Sequence, residues 1–244
     1  GCSKKAESKV PDKLIVGTNA EFPPFEYMND KKQPEGFDIA MIKEIGKRMG
    51  KKVEIKNMEF KSLIGAMESD SINAIIAGMT KTEKREKAVD FSDSYYTTNQ
   101  AIILKKDSKI TKLAQLDGKK IGVQEGTTGD LISSGDKFGD GKKAKVLVKG
   151  AKVKRFKKGV DAVMDLKNGS VDAVVIDELT ANEFVKKNAK KLKIVIDSAG
   201  SEYYCIALTK GNTAYKEEVN KQIKAIKEDG TYDKLKAKYI DSKN

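Results

Sequence analysis

Three short stretches of the chain carry groups suited to ions of opposite sign. In Gly78-Met79-Thr80-Lys81-Thr82-Glu83-Lys84-Arg85 a guanidinium follows a Gly-Met-Thr turn at the end of a strand-like run. A guanidinium grips a carboxylate through two parallel hydrogen bonds and stays charged at any physiological pH. Gly126-Thr127-Thr128-Gly129 follows the strand-like Lys120-Ile121-Gly122-Val123 and precedes a helical pattern. The free N–H groups of such a helix start, assisted by the dipole, can cradle an anion. It is not a P-loop, because GxxxxGK[ST] is absent. Asp172-Ala173-Val174-Val175-Ile176-Asp177 is an apolar strand that ends on an acid, which suits an ammonium. Together the three complement the zwitterion of a free α-amino acid, and they predict a receptor for one.

Each stretch also has a plainer reading. Arg85 stands among Lys81, Glu83, Lys84, Glu86 and Lys87, as a solvated arginine in a charged turn would. Thr127 and Thr128 are ordinary N-cap residues, and Asp177 is well placed to cap a helix that begins at Glu178. Phe22 and Phe25 lie in a Pro-containing loop and Phe60 starts a helix. Such rings can sandwich a ligand side chain, although core packing is their commoner fate.

Composition removes several chemistries. The 244 residues contain no histidine, so His-based triads, His general bases and His-ligated zinc are excluded. The only cysteines are Cys2 and Cys205, which leaves no CxxC framework. No metal, cofactor or catalytic residue is expected. A formal charge of +12 raises the question of nucleic acid. The excess is lysine spread along the whole chain, with no basic stripe or recognised motif, so solvated faces are the reading and nucleic acid is not. No stretch approaches the ~20 apolar residues of a membrane span.

Gly1-Cys2-Ser3-Lys4-Lys5 opens a polar segment, residues 1–12, that reads as a flexible tether. Its Gly-Cys step resembles the region after a bacterial lipoprotein cleavage site, where the cysteine becomes lipidated. On that reading Cys2 anchors the domain to the outer face of a bacterial membrane; a chance terminal cysteine is the alternative.

The positioning elements follow from periodicity. Leu14 to Thr18, Val53 to Ile55 and Ile72 to Ala77 read as strands, with helices over Phe37–Gly50 and Phe60–Met67 between them. That order favours a parallel α/β sheet. The pattern restarts at Lys120: strands at Ile121–Val123, Ala144–Val148, Asp172–Ile176 and Leu192–Ile196, and helices over Asp130–Phe138, Lys158–Leu166 and Glu178–Lys187. Val160, Val163 and Met164 are expected to face inward. Tyr215 to Tyr239 reads as a helical tail returning to the first run. Two runs imply two lobes, with a cleft at the carboxyl ends of their strands where open α/β sheets bind ligands. Gln100–Leu104 and Tyr204–Leu208 are the hinge strands. Lobe 1 is expected over 13–103 and 206–244, and lobe 2 over 104–205.

Six motifs occur in family order over nearly the whole chain. They are Gly17-Thr18-Asn19-Ala20-Glu21-Phe22-Pro23-Pro24-Phe25, Gly36-Phe37-Asp38, Gly78 through Arg85, Val89-Asp90-Phe91-Ser92-Asp93-Ser94-Tyr95-Tyr96, Gly122 through Thr128, and Asp172 through Asp177. On them the chain resembles the polar amino-acid substrate-binding proteins of ABC importers, bacterial extracellular solute-binding protein family 3. The resemblance implies a type II periplasmic-binding-protein fold, two Rossmann-like lobes joined by two hinge strands, that closes around one amino acid. It also implies binding without turnover, a monomer, and an extracytoplasmic or periplasmic location beside the importer's membrane subunits. Carried over residue by residue, Arg85 and the Thr128 N–H, with Thr127 beside it, would take the α-carboxylate. Asp177, the Gly78 carbonyl and Thr80 would take the α-ammonium, next to Met79. Phe22 and Phe60 would flank the side chain, and Asn19 and Gln124 would face its tip. The family often has Asp at the position of Asn19, and usually Gly at that of Cys205. With Glu21 and Glu125 nearby, arginine or lysine is favoured and glutamine comes next. The alternative is a small-molecule lyase or dehydratase on the same scaffold.

Overall fold

The short apolar runs become strands because their β-branched residues fill both faces of covered sheets. The computed structural model of the chain describes residues 8–241; Cys2 and its proposed lipid lie outside them. In chain order the main elements are β1 (Lys13–Thr18), α1 (Phe37–Arg48), β2 (Lys52–Asn57), α2 (Leu63–Glu68), β3 (Ala74–Ile75) and α3 (Glu83–Glu86). Next come β4 (Val89–Lys105), β5 (Lys120–Gln124), α4 (Thr128–Ser133), β6 (Lys152–Phe156), α5 (Gly159–Lys167) and β7 (Ala173–Asp177). The last are α6 (Glu178–Lys186), β8 (Leu192–Thr209), α7 (Thr213–Glu228) and α8 (Thr231–Tyr239). The chain forms two compact units: unit 1 runs up to Tyr96 and resumes at Tyr204, and unit 2 is Thr97–Tyr203. Both crossings fall inside the long strands β4 and β8. The sequence put them at 103/104 and 205/206.

In unit 1, β1 pairs in parallel with β2, from Lys13↔Lys52 to Thr18↔Asn57, and with β3 through Val16↔Ala74 and Gly17↔Ile75. β8 joins β3 antiparallel through Ala207↔Ile75, so the sheet is mixed and not wholly parallel as expected. In unit 2, β5 lies between β6 and β7, parallel to both. β4 runs antiparallel to β7, with Val174 opposite Ile103 and Asp177 opposite Gln100. β2 and β6 are the outer strands of their units.

Several local expectations give way. The loop between β1 and α1 contains a small three-stranded antiparallel sheet, built from Glu21–Phe22, Glu26–Met28 and Pro34–Glu35. Phe25 then packs edge-on against Phe37, Tyr96 and Tyr204. β6 had no strand signal, because only Val153 and Phe156 on it are half-buried among lysines. The helix expected over Asp130–Phe138 ends at Ser133, and Lys137–Phe138 instead pairs with Lys145–Val146. In α5 the inward face is Gly159, Ala162, Val163 and Leu166, while Val160 and Met164 are exposed. The small residues let the helix approach β5, where a Cβ on Gly122 would come 3.2 Å from that of Ala162. The tail is two helices, α7 and α8, separated at left-handed Gly230. It returns to unit 1: Tyr232 donates to the Tyr95 carbonyl at 2.6 Å and meets the Phe37 ring edge-on.

Asp38, in the first turn of α1, organises this unit. It is fully buried and accepts hydrogen bonds from the Gly78 N–H at 2.7 Å and the Tyr95 hydroxyl at 2.8 Å. Burial raises its pKa to about 6, opposed by hydrogen bonds from the equally buried Glu26, from Tyr95 and from Gly78. A carboxyl above its ordinary 3.8 keeps in the folded state a proton that the unfolded chain has released. Its stabilisation is therefore complete below about pH 4, falls as pH rises towards about 6, and is flat beyond. A rise from 3.8 to about 6 corresponds to roughly 3 kcal/mol. In Asp38→Asn that slope should vanish. The test is the difference between parent and variant melting curves from pH 4 to 7, and a pH-independent difference would contradict the assignment.

Candidate functional site

In unit 1 the turn after β3 is held from two sides. Asp38 takes the Gly78 N–H, and β8 pairs with the next residues through the Thr80↔Tyr204 bridge and a 2.9 Å bond from the Cys205 N–H to the Met79 carbonyl. Thr82 then caps α3 by accepting the Arg85 N–H at 3.1 Å. That cap turns Arg85 inward while Glu83, Lys84 and Lys87 stay on the outer side. Arg85 is 7% exposed. One guanidinium nitrogen donates to the Thr80 carbonyl at 2.6 Å, and the group lies 5.5 Å from the centre of the Phe60 ring. The reading of Arg85 as a solvated surface residue is therefore wrong. A cation pinned on a ring face by its own backbone keeps a defined direction for its remaining donors.

The other unit 1 candidates cluster at the same strand ends. Phe22 is buried, and a Cβ on Gly78 would come 3.0 Å from its ring. Thr80 is buried beside it. Asn19 is buried and donates its side-chain amide to the Met58 carbonyl at 2.8 Å, which fixes the orientation of its head. The Met79 side chain and Phe60 belong to an apolar cluster with Leu63, Ile75, Val89 and Cys205. Met79 thus contributes core packing through its side chain. Burial also pushes the Cys205 thiol up to about 11.

In unit 2 the turn after β5 is built by its own side chains. The Thr127 hydroxyl donates to the Gln124 carbonyl at 2.7 Å and accepts the Asp130 N–H at 3.4 Å. Thr127 is thus the N-cap of α4, and the Thr128 N–H behind it has no partner among the described residues. Asp130 takes the Gly126 N–H at 2.9 Å and is itself held by the Arg155 guanidinium at 3.0 Å. Gln124 is buried, with its amide donating to the Lys157 carbonyl at 3.3 Å.

Asp177 occupies the N-cap position of α6, yet its side chain makes no capping hydrogen bond. It is 3% exposed and accepts from the Gln100 amide at 2.6 Å, across the β4–β7 ladder. The capping role that the sequence allowed for this acid is thus not the one it performs. Gln100 and Glu202, which the sequence reading passed over, join it: the same amide nitrogen donates to Glu202 at 2.6 Å. The available signal was a polar residue at the head of the apolar run Ala101–Leu104.

The unit 2 candidates are brought together by close packing of α4 on β7. A Cβ on Gly129 would lie 2.4 Å from the Val175 carbonyl oxygen and 3.1 Å from the Gln100 amide oxygen. A strand carbonyl cannot move aside without breaking the ladder. Gly129→Ala should therefore destabilise by about 1–3 kcal/mol, despite a helix-propensity gain of up to ~1 kcal/mol. Urea unfolding measures it, and an unchanged midpoint would mean that α4 is free to slide on β7.

Residues 14–242 match the bacterial extracellular solute-binding proteins, family 3. Among curated proteins, the arginine-binding extracellular protein ArtP of Bacillus subtilis (strain 168) is 34% identical over 98% of this chain and 91% of its own length. An ancestral arginine-binding protein bound to arginine superposes with a TM-score of 0.82 at 41% identity, covering 95% of this chain and all of that one. A structure of an ancestral arginine-binding protein bound to glutamine gives 0.81 at 41% identity, over 95% of this chain and 99% of the other. Matched along almost its entire length in sequence and fold, the chain belongs to the bacterial extracellular solute-binding proteins, family 3.

Proposed function

We propose that the protein is an extracytoplasmic receptor for a free polar L-amino acid, arginine or lysine before glutamine, and that it delivers this ligand to the membrane subunits of an ABC importer. The observation that carries the reading is a buried cation in unit 1 and a buried acid in unit 2, each held in a fixed orientation by its own unit. Arg85 is turned inward from a charged helix, and Asp177 sits at an N-cap without capping. Arg85 and the Thr128 N–H take the α-carboxylate. Asp177, the Gly78 carbonyl and the Thr80 hydroxyl take the α-ammonium. Phe22 and Phe60 border the side chain, with Asn19 and Gln124 towards its tip. Arginine leads because ArtP and the arginine-bound ancestral structure are similar over nearly the whole chain. Glutamine stands next because the same scaffold also holds it.

The role is binding without turnover, so ligand recovered after prolonged incubation should be chemically unchanged. Among the described residues no helix is long and apolar enough to cross a membrane, and a lipid on Cys2 would supply the attachment.

A thermal-shift screen of the amino acids tests the ligand. A ligand that binds only the folded state at 100–1,000 times its Kd stabilises by about 3–4 kcal/mol. Arginine should give the largest shift and its methyl ester almost none. Equal shifts from acid and ester would refute a carboxylate site.

Arg85→Ala should lose about 30- to several-thousand-fold in affinity, the ~2–5 kcal/mol of truncating one member of a buried charge pair. Arg85→Lys should recover only part, because a point charge lacks the fork. Titration calorimetry decides: an Arg85→Ala protein that binds like the parent but melts earlier would make Arg85 a structural residue.

A further inference from the structure

The side chain of Gln100 divides two buried carboxyl groups. Asp177 and Glu202 are 3% and 1% exposed, and each accepts from the same amide nitrogen at 2.6 Å. An amide –NH2 has two hydrogens, so each acid takes one, and the two oxygens stand roughly 4–5 Å apart. The amide cannot be turned over, since its oxygen would then face both acids. Its Oε1 instead points the other way, buried and without a partner among the described residues. Leaving a buried acceptor unmade is costly, so the pull of the two acids outweighs it.

The surrounding backbone keeps this arrangement in place. A Cβ on Gly200 would come 2.8 Å from the Gln100 Cβ, and one on Gly129 3.1 Å from its Oε1. Two glycines therefore leave room for the Gln100 side chain and for little else. Asp177 lies opposite Gln100 in the β4–β7 ladder, which sets the distance between them. Glu202 comes from β8, so a third strand brings the second charge.

We infer that Glu202 and Gln100 are affinity-determining positioning residues for the ammonium site: Gln100 fixes the Asp177 carboxylate, and Glu202 adds a second negative charge to it. This rests on the reading of Asp177 as the partner of the ligand ammonium. Glu202 strengthens the field at an ammonium without touching it, and it favours ligands of higher positive charge. In a medium of low effective dielectric a unit charge a few ångströms further off still matters strongly.

Glu202→Gln keeps the size and removes the charge, and Gln100→Met keeps the length and removes both donors. Each should weaken arginine binding at least about tenfold by calorimetry, while the melting temperature of the ligand-free Glu202→Gln protein does not fall. The loss in Glu202→Gln should also be greater for arginine than for glutamine. Unchanged affinity in Glu202→Gln, or affinity and ligand-free melting temperature falling together, would overturn the inference and make Glu202 a structural acid. Should Gln100→Met fail to fold, Glu202→Gln alone decides. A parent protein that binds neither arginine nor glutamine would instead sink the functional reading on which the inference stands.

Discussion

A carboxyl group shut away from water holds the turn on which unit 1 depends. Asp38 grips the Gly78 N–H from the start of α1, and Gly78 opens the segment that carries Thr80 and leads to Arg85. A buried acid is expensive to charge, and this one keeps a raised pKa beside Glu26. The bond is retained because it fixes a backbone group that no strand partner reaches. From that point the geometry follows: β8 pairs with Met79 and Thr80, Thr82 caps α3, and the cap turns the guanidinium onto Phe60. Each link is one hydrogen bond or ring contact. Moving Gly78 would disturb all of them.

Unit 2 solves the same problem with the opposite sign. There the fixed group is an acid at the end of β7, and the device that fixes it is an amide one rung across the ladder. The neighbouring turn carries the acid Asp130 in the first turn of α4. Arg155 lies against that carboxylate and offsets it. Unit 1 thus fixes its guanidinium in a short helix through its own turn and a ring, and unit 2 fixes its acid at a strand end through a neighbouring strand.

Much of this was readable from residue types and spacing. Strand–helix alternation gave the α/β class, and an arginine five residues after Thr80 or an acid ending Val-Val-Ile was enough to nominate Arg85 and Asp177. Capping preference pointed towards a structural Asp177, yet its side chain makes no capping hydrogen bond and accepts from Gln100 instead. Asp38, Gln100 and Glu202 were invisible as positioning residues, because their partners lie 40, 77 and 102 residues away in the chain. No local pattern encodes such pairings. The outward turn of Val160 and Met164 had a related cause: the face of α5 is chosen by the small Gly159, which admits Ile176 and Phe184, and Ala162, which admits β5, and not by the largest apolar side chains. Gly230 was visible as a glycine, yet its role in breaking the tail depends on Tyr232 having Tyr95 and Phe37 to reach.

The outer strands β2 and β6 give the lysine excess a use. An unpaired strand edge is a template for another chain, and charged side chains, lysine above all, are the usual defence. β2 presents Lys52, Glu54 and Lys56 along its length, and β6 presents Lys152, Lys154 and Arg155. Charged side chains along both edges make the edge of one molecule a poor partner for the edge of the next. The +12 charge of the chain thus serves colloidal stability as well as solvation. Neutralising these particular lysines would therefore lead to aggregation before it led to any loss of fold.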